Sequence, residues 1–412
     1  MQTRFMKKQL LFIFAIILMA VNYSFAQSNK TTTTGVTVAG GNGSGATANQ
    51  LYNPDGVFVD GSGNIYISDQ GNHRIQKWAP GASTGTTVAG GNGAGNGADQ
   101  FYLPYTVFVT ANGTIYVSDQ SNHRIQKWAS GASTGTTVAG GNGAGGGADQ
   151  LNFPAGIYVD GSNNLYVADN LNHRVQKWAP GASTGTTVAG GNGQGAAANQ
   201  LNIASGVYVD GIGNVYVTDL GNSRIQKWAP GASTGTTVAG GNGNGAAANQ
   251  LSNAMGLLVD GFGNIFIADN GNNRVQKWTP GALSGITIAG GNGQGASANQ
   301  LSSPNGIDFD HNGNLYISDY DNHRIQRWDG ITGINETETT SISISPNPTS
   351  DIITIKGITQ PMVAVYNLMG QKVVASQGSN EVSLAQLPAG MYLLQVFNKD
   401  MELVKSEKVI KE

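Results

Sequence analysis

Asp69-Gln-Gly-Asn-His-Arg-Ile-Gln-Lys-Trp78 returns with little change at five further places, ending at Trp128, Trp178, Trp228, Trp278 and Trp328. The spacing is 50 residues each time, and these six are the only tryptophans in the chain. A strand-like unit of this period has no core of its own and stacks on its copies, which marks a repeat array such as a propeller.

Outward from that stretch, one unit resolves into four short strands. Val57-Phe-Val-Asp60 is followed by the turn Gly61-Ser-Gly-Asn64, then by Ile65-Tyr-Ile-Ser-Asp69 and a second turn at Gln70-Gly-Asn72. His73 to Trp78 is the third strand, ended by Pro80-Gly81, and Thr86-Thr-Val-Ala89 is the fourth. β-Branched and aromatic residues set the strands, and Gly, Asn and Pro set the turns. Val57-Phe58-Val59 and Ile65-Tyr66-Ile67 are apolar on both faces, so both faces are covered, as in a blade held between neighbours. No helix is expected.

The segment Ala-Gly-Gly-Asn-Gly occurs at 39–43, 89–93, 139–143, 189–193, 239–243 and 289–293, and none follows Trp328. Val36–Gly43 is thus left over at one end and missing at the other. We expect it to supply the outer strand of the last blade, closing the ring without free edges. With no cysteine in the chain, disulfides cannot do this.

The repeat unit resembles the NHL repeat in its Gly56-Val57…Asp60-Gly-Ser-Gly-Asn64…Asp69…Asn72-His-Arg74 pattern, and the resemblance implies a six-bladed β-propeller over 31–330. Departures occur: Ser223 and Asn273 replace the His, and Thr110 and Thr114 replace the Asp and Asn of the first turn. The fold class expected is all-β, a propeller closed by an N-terminal outer strand and followed by a small β-sandwich.

Residues 1–26 read as a secretory signal, with Arg4, Lys7 and Lys8 before the apolar run Leu10 to Val21 and a Ser24-Phe-Ala26 cleavage site. The run is too short for a transmembrane helix of ~20 residues, so no membrane span is expected after its removal. Residues 331–345 read as a polar linker, and Glu336 is the first Glu in the chain. Beyond it, 352–355, 363–366, 372–374 and 392–397 alternate as strands. Ser345-Pro-Asn-Pro-Thr349, Val365-Tyr-Asn-Leu-Met-Gly-Gln-Lys372 and Leu387-Pro-Ala-Gly-Met-Tyr-Leu-Leu394 resemble the C-terminal sorting domain of the type IX secretion system, assigned to 346–412. This implies export by that machinery to the surface or medium of a Bacteroidetes-type bacterium.

Charged residues make up 11% of the chain and the net charge is −3. Asp outnumbers Lys plus Arg in the repeats, which disfavours a nucleic-acid partner. The repeated Asp69, Asp119, Asp169, Asp219, Asp269 and Asp319 read as caps of their own turns. Arg74 and its equivalents would bridge to an Asp or carbonyl of an adjacent strand. His73, His123, His173 and His323 lie on separate blades, too far apart to share one zinc ion. The Gly-rich loops lack the Lys-Ser/Thr of a phosphate cradle. No cofactor is expected.

The repeats differ mainly in three sets. One is Asp55, Tyr105, Ala155, Ser205, Met255 and Asn305, before the first strand. The second is Gln70, Gln120, Asn170, Leu220, Asn270 and Tyr320, after the second strand. The third includes Tyr52-Asn53, Tyr102-Leu103 and their equivalents. In an up-and-down blade these loops share one face around the channel mouth, where rigid scaffolds host binding; drift at exposed loop positions is the plain alternative. Asp308 stands where other units carry Phe58, Phe108, Tyr158, Tyr208 and Leu258, and it is expected to be solvated by the channel or paired with a cation or Arg324. The sequence therefore points to a secreted or surface-displayed, non-catalytic module binding a protein or carbohydrate. The alternative is a lyase or lactonase-type enzyme with a channel metal, for which Asp55 and Asp308 are the weak candidates.

Overall fold

A computed structural model of the chain describes residues 34–331, 343–358, 361–367, 372–397 and 403–412. The expected signal segment 1–26 and most of the expected linker lie outside the described residues. The chain divides into two compact units between Thr332 and Gly333.

The first unit holds six four-stranded antiparallel sheets. In blade 1 the inner strand Pro54–Val59 pairs with Ile65–Asp69, that strand with Arg74–Trp78, and the last with the outer strand Thr86–Gly90. Blades 2 to 5 repeat this order. Blade 6 takes its inner strands from Pro304–Phe309, Leu315–Asp319 and Arg324–Trp328, and its outer strand is Val36–Gly40. Thr37 pairs with Gln326 and Gly40 with Arg324, so the ring closes as expected.

Residues apolar on both strand faces are explained by the packing. Tyr66, Ile75 and Ala89 of blade 1 share one core with Phe101, Val107, Val109, Val117 and Trp128 of blade 2. Each tryptophan is at most 2% exposed at such a junction. Losing one costs on the order of 3–5 kcal/mol.

The stretch Gln70–Asn72 is one turn of 3₁₀ helix, repeated in all six blades, where only a turn was expected. It ends in a left-handed residue: His73, His123, His173, Ser223, Asn273 and His323 have φ between 52° and 55°. Asn and His tolerate this conformation better than most side chains, which limits what the third-strand entrance accepts.

A second left-handed residue faces it from the next blade. Leu103, with φ 55°, donates its N–H to His73 Nδ1 at 3.2 Å. Asn273 Oδ1 accepts from Ser303 N at 2.9 Å in the same way. Burial holds the His73 and His123 imidazoles below the usual histidine pKa, in the neutral form that leaves Nδ1 free to accept.

The Asp–Arg reading divides. Arg74 Nε bonds Asp69 Oδ2 at 2.7 Å, and the pair recurs in all six blades, with every carboxylate fully buried. Asp69 does not cap its own turn, however. Its Oδ1 accepts the N–H of Tyr52, on the loop entering the first strand, and Asn72 Nδ2 also bonds it. The carboxylate is better used tying that loop to the third strand, because Arg74 Nη1 continues to the carbonyl of Ala46.

The C-terminal unit has a three-stranded sheet (Ser343–Ser345, Ile352–Lys356, Glu381–Ser383) and a four-stranded one (Lys372–Gln377, Met362–Tyr366, Gly390–Phe397, Leu403–Lys411). Ile353, Ile355, Val363, Val365, Leu394 and Val409 join the two in one core, a sandwich. Ser343–Ser345, Glu381–Ser383 and Leu403–Lys411 are strands not expected from the sequence; in the last, Val409 is buried while the apolar Ile410 is exposed, and Lys405 and Glu407 are partly exposed.

Candidate ligand-binding face and channel

The inner strand carries a bulge. Pro54 pairs with Asp69 and Val57 with Ile67, so Asp55 and Gly56 together oppose Ser68. A bulge re-aims the side chain it contains. Asp55, Tyr105, Ser205, Met255 and Asn305 consequently line the central channel. Glycine follows most of them because neighbouring inner strands nearly touch: a Cβ on Gly156 would lie 2.6 Å from the carbonyl oxygen of Ser205.

The first variable set is therefore not exposed loop. Asp55, Ser205 and Asn305 are 3%, 1% and 7% exposed, and Ala155 is fully buried. Drift at solvent-exposed positions does not describe them, since the bulge turns them inward.

These residues meet the second set in a hydrogen-bonded line across one side of the mouth. Tyr320 Oη donates to Gln70 Oε1 at 3.0 Å, and Gln70 Nε2 donates to Asp55 Oδ2 at 2.9 Å. Asp55 also bonds Asn305, whose Oδ1 accepts from Asn270 Nδ2 at 2.6 Å. On the other side Tyr105 reaches across the channel from blade 2. Its hydroxyl lies 3.3 Å from Ser205 Oγ and 3.4 Å from Met255 Sδ. Burial pushes the Asp55 carboxyl and the Tyr105 phenol well above their ordinary pKa values.

Asn170 bonds the carbonyl of Ala204 at 3.0 Å, and Gln120 sits half-buried at the matching position. The third set lies farther out. Tyr52 and Tyr102 are each 46% exposed and stand edge-on against His323 and His73. Phe153, at 37% exposure, stacks on His123 in the same manner. Phe153 belongs to the third set, but its exposure depends on the left-handed backbone at φ 53°, which sequence patterning does not show.

Below the mouth is a cavity of about 260 Å³, walled by Phe58, Phe108, Tyr158, Tyr208, Leu258 and Asp308. Asp308 does not pair with Arg324, which is held by Asp319. Asp308 Oδ2 instead accepts the N–H of Val59, in blade 1, at 2.7 Å. Burial raises its carboxyl to about 7.

The repeats match the family described as NHL repeat at residues 51–78, 151–178 and 301–328, which are blades 1, 3 and 6. The three unmatched blades are those carrying Thr110 with Thr114, Ser223 and Asn273. The ring is an NHL-repeat propeller. Residues 343–412 match the Secretion system C-terminal sorting domain, and this NHL chain is accordingly one destined for secretion or cell-surface attachment through the type IX machinery. Among curated proteins none matches the chain.

Solved structures share the fold. A protein of unknown function from Bacteroides thetaiotaomicron superposes with a TM-score of 0.56 at 15% identity, covering 72% of this chain and 75% of that one. A gluconolactonase from Xanthomonas campestris gives 0.50 at 14% identity, covering 68% and 86%. At such identities the likeness shows the fold alone.

The donor set does not fit a resident channel metal. Among the described residues no three of His, Cys, Asp and Glu converge. Asp55 and Asp308 are each hydrogen-bonded to protein groups, and burial favours their protonated, non-ligating forms.

Proposed function

We propose that the NHL propeller is a non-catalytic binding module displayed outside the cell, with its ligand docked on the face that carries the variable loops. The observation that supports this most is the run of exposed rings, Tyr52, Tyr102 and Phe153, on consecutive blades of that face. Each ring is set by a T-shaped contact with a histidine of the preceding blade. A rigid ring with a polar edge contributes contact area at low entropic cost, and the neighbouring amides of Asn53, Asn152 and Asn202 supply donors and acceptors. Flat apolar rings beside amides suit the faces and hydroxyls of a glycan.

Binding of the full chain to a panel of bacterial and host glycans, with surface proteins as a second arm, tests the reading. Saturable glycan binding that weakens in Tyr52→Ala/Tyr102→Ala supports it. Saturable binding that this double variant leaves unchanged would place the ligand elsewhere.

A further inference from the structure

We propose that the central channel is a second site, distinct from the exposed rings of Tyr52, Tyr102 and Phe153, which takes a small organic ammonium ion between an aromatic wall and the carboxyl of Asp308. The wall is continuous. Ring centroids of Phe58 and Phe108 are 5.2 Å apart, those of Phe108 and Tyr158 5.7 Å, and those of Tyr158 and Tyr208 4.9 Å. Together with Leu258 and Asp308 these four line the roughly 260 Å³ cavity, one from each blade.

Charge decides what can enter. None of the residues lining the cavity is Lys, Arg or His, and the acids among them are Asp55 and Asp308. An anion would be buried against carboxyl groups with no countercharge, which is costly. A cation meets the negative faces of aromatic rings and a carboxyl able to release its proton, a combination that strengthens when desolvated.

The scaffold does not explain Asp308. Five blades carry Phe, Tyr or Leu at this position and form the same inner strand. The Val59 N–H that Asp308 accepts has counterparts at Val109, Val159, Val209, Val259 and Phe309, each preceded by a blade with no carboxylate at the Asp308 position. An acid placed once in an otherwise apolar ring, facing a cavity, is the signature of recognition rather than of strand geometry.

Isothermal titration of the full chain with choline, and with its neutral isostere 3,3-dimethylbutan-1-ol, tests the assignment. We expect saturable choline binding and at least about tenfold weaker binding of the alcohol, about 1.4 kcal/mol. Asp308→Asn should remove that preference, and Tyr158→Leu should weaken choline by about tenfold, within the range of a desolvated cation–π contact. Asp308→Leu, which restores the residue of blade 5, should fold, as circular dichroism would show, and lose choline. No saturation with choline, equal binding of the two compounds, or undiminished choline binding by Asp308→Asn would each overturn the proposal. Tyr52→Ala/Tyr102→Ala should leave choline binding unchanged, so failure of the glycan reading and failure of this one are distinguishable.

Discussion

Ile203 donates its backbone N–H to Nδ1 of His173 across 3.0 Å, and both residues are left-handed, with φ of 61° and 54°. For a β-branched residue that conformation is strained by on the order of 1–3 kcal/mol, so the imidazole holds the next blade's loop in a costly geometry. Ile203→Asn should relieve the strain and stabilise the protein by about 1 kcal/mol, whereas His173→Ala should cost about 1 kcal/mol. His173→Asn should be nearly neutral, because Asn273 makes the same bond in blade 5. Urea unfolding of the full chain checks all three.

The same bond carries a pH dependence. The folded-state pKa of His73 and His123 is depressed by burial below 6.5. Below pH 6.5 the unfolded chain therefore binds more protons than the folded one, and stability falls as pH falls. His73→Asn/His123→Asn should flatten the melting temperature below that pH. An unchanged slope would show that these imidazoles remain protonatable without loss of the clasp.

Asp308 contributes in the opposite sense. Its folded pKa of about 7 lies above the ordinary 3.8, so the unfolded chain loses this proton first. Stability drawn from this group is full below pH 4 and declines as pH rises to 7, by a few kcal/mol at most, from about 1.4 kcal/mol per unit. Relative to wild type, Asp308→Asn should gain stability over that interval. Melting curves of both proteins at matched ionic strength measure it.

The six buried Asp–Arg pairs are expected to matter one by one. Arg224→Met would strand the Asp219 carboxylate, which is fully buried, and should cost on the order of 3–5 kcal/mol. The double change Asp219→Asn/Arg224→Met should recover part of it, because no charge is then left unpaired. A double-mutant cycle in urea reads the coupling.

Ring closure and blade number were legible because the 50-residue period and the leftover Val36–Gly43 segment need no tertiary information. The position of the variable residues was legible only as a face. Whether Asp55 or Tyr52 is buried depends on the bulge between Pro54 and Val57 and on the left-handed Asn53, features of backbone path that residue type underdetermines. Asp69 was misread as a turn cap for the same reason: its partner, Tyr52 N–H, lies 17 residues away in sequence. The oddity of Asp308 was visible, but its partner on another blade was not.

Binding on the face of the exposed rings is read most directly from the affinity of the full chain for its best glycan, before and after Tyr52→Ala/Tyr102→Ala. A loss of at least about tenfold is expected, with the melting temperature unchanged, since both rings are about half exposed. Equal affinity in the two proteins would contradict binding on that face.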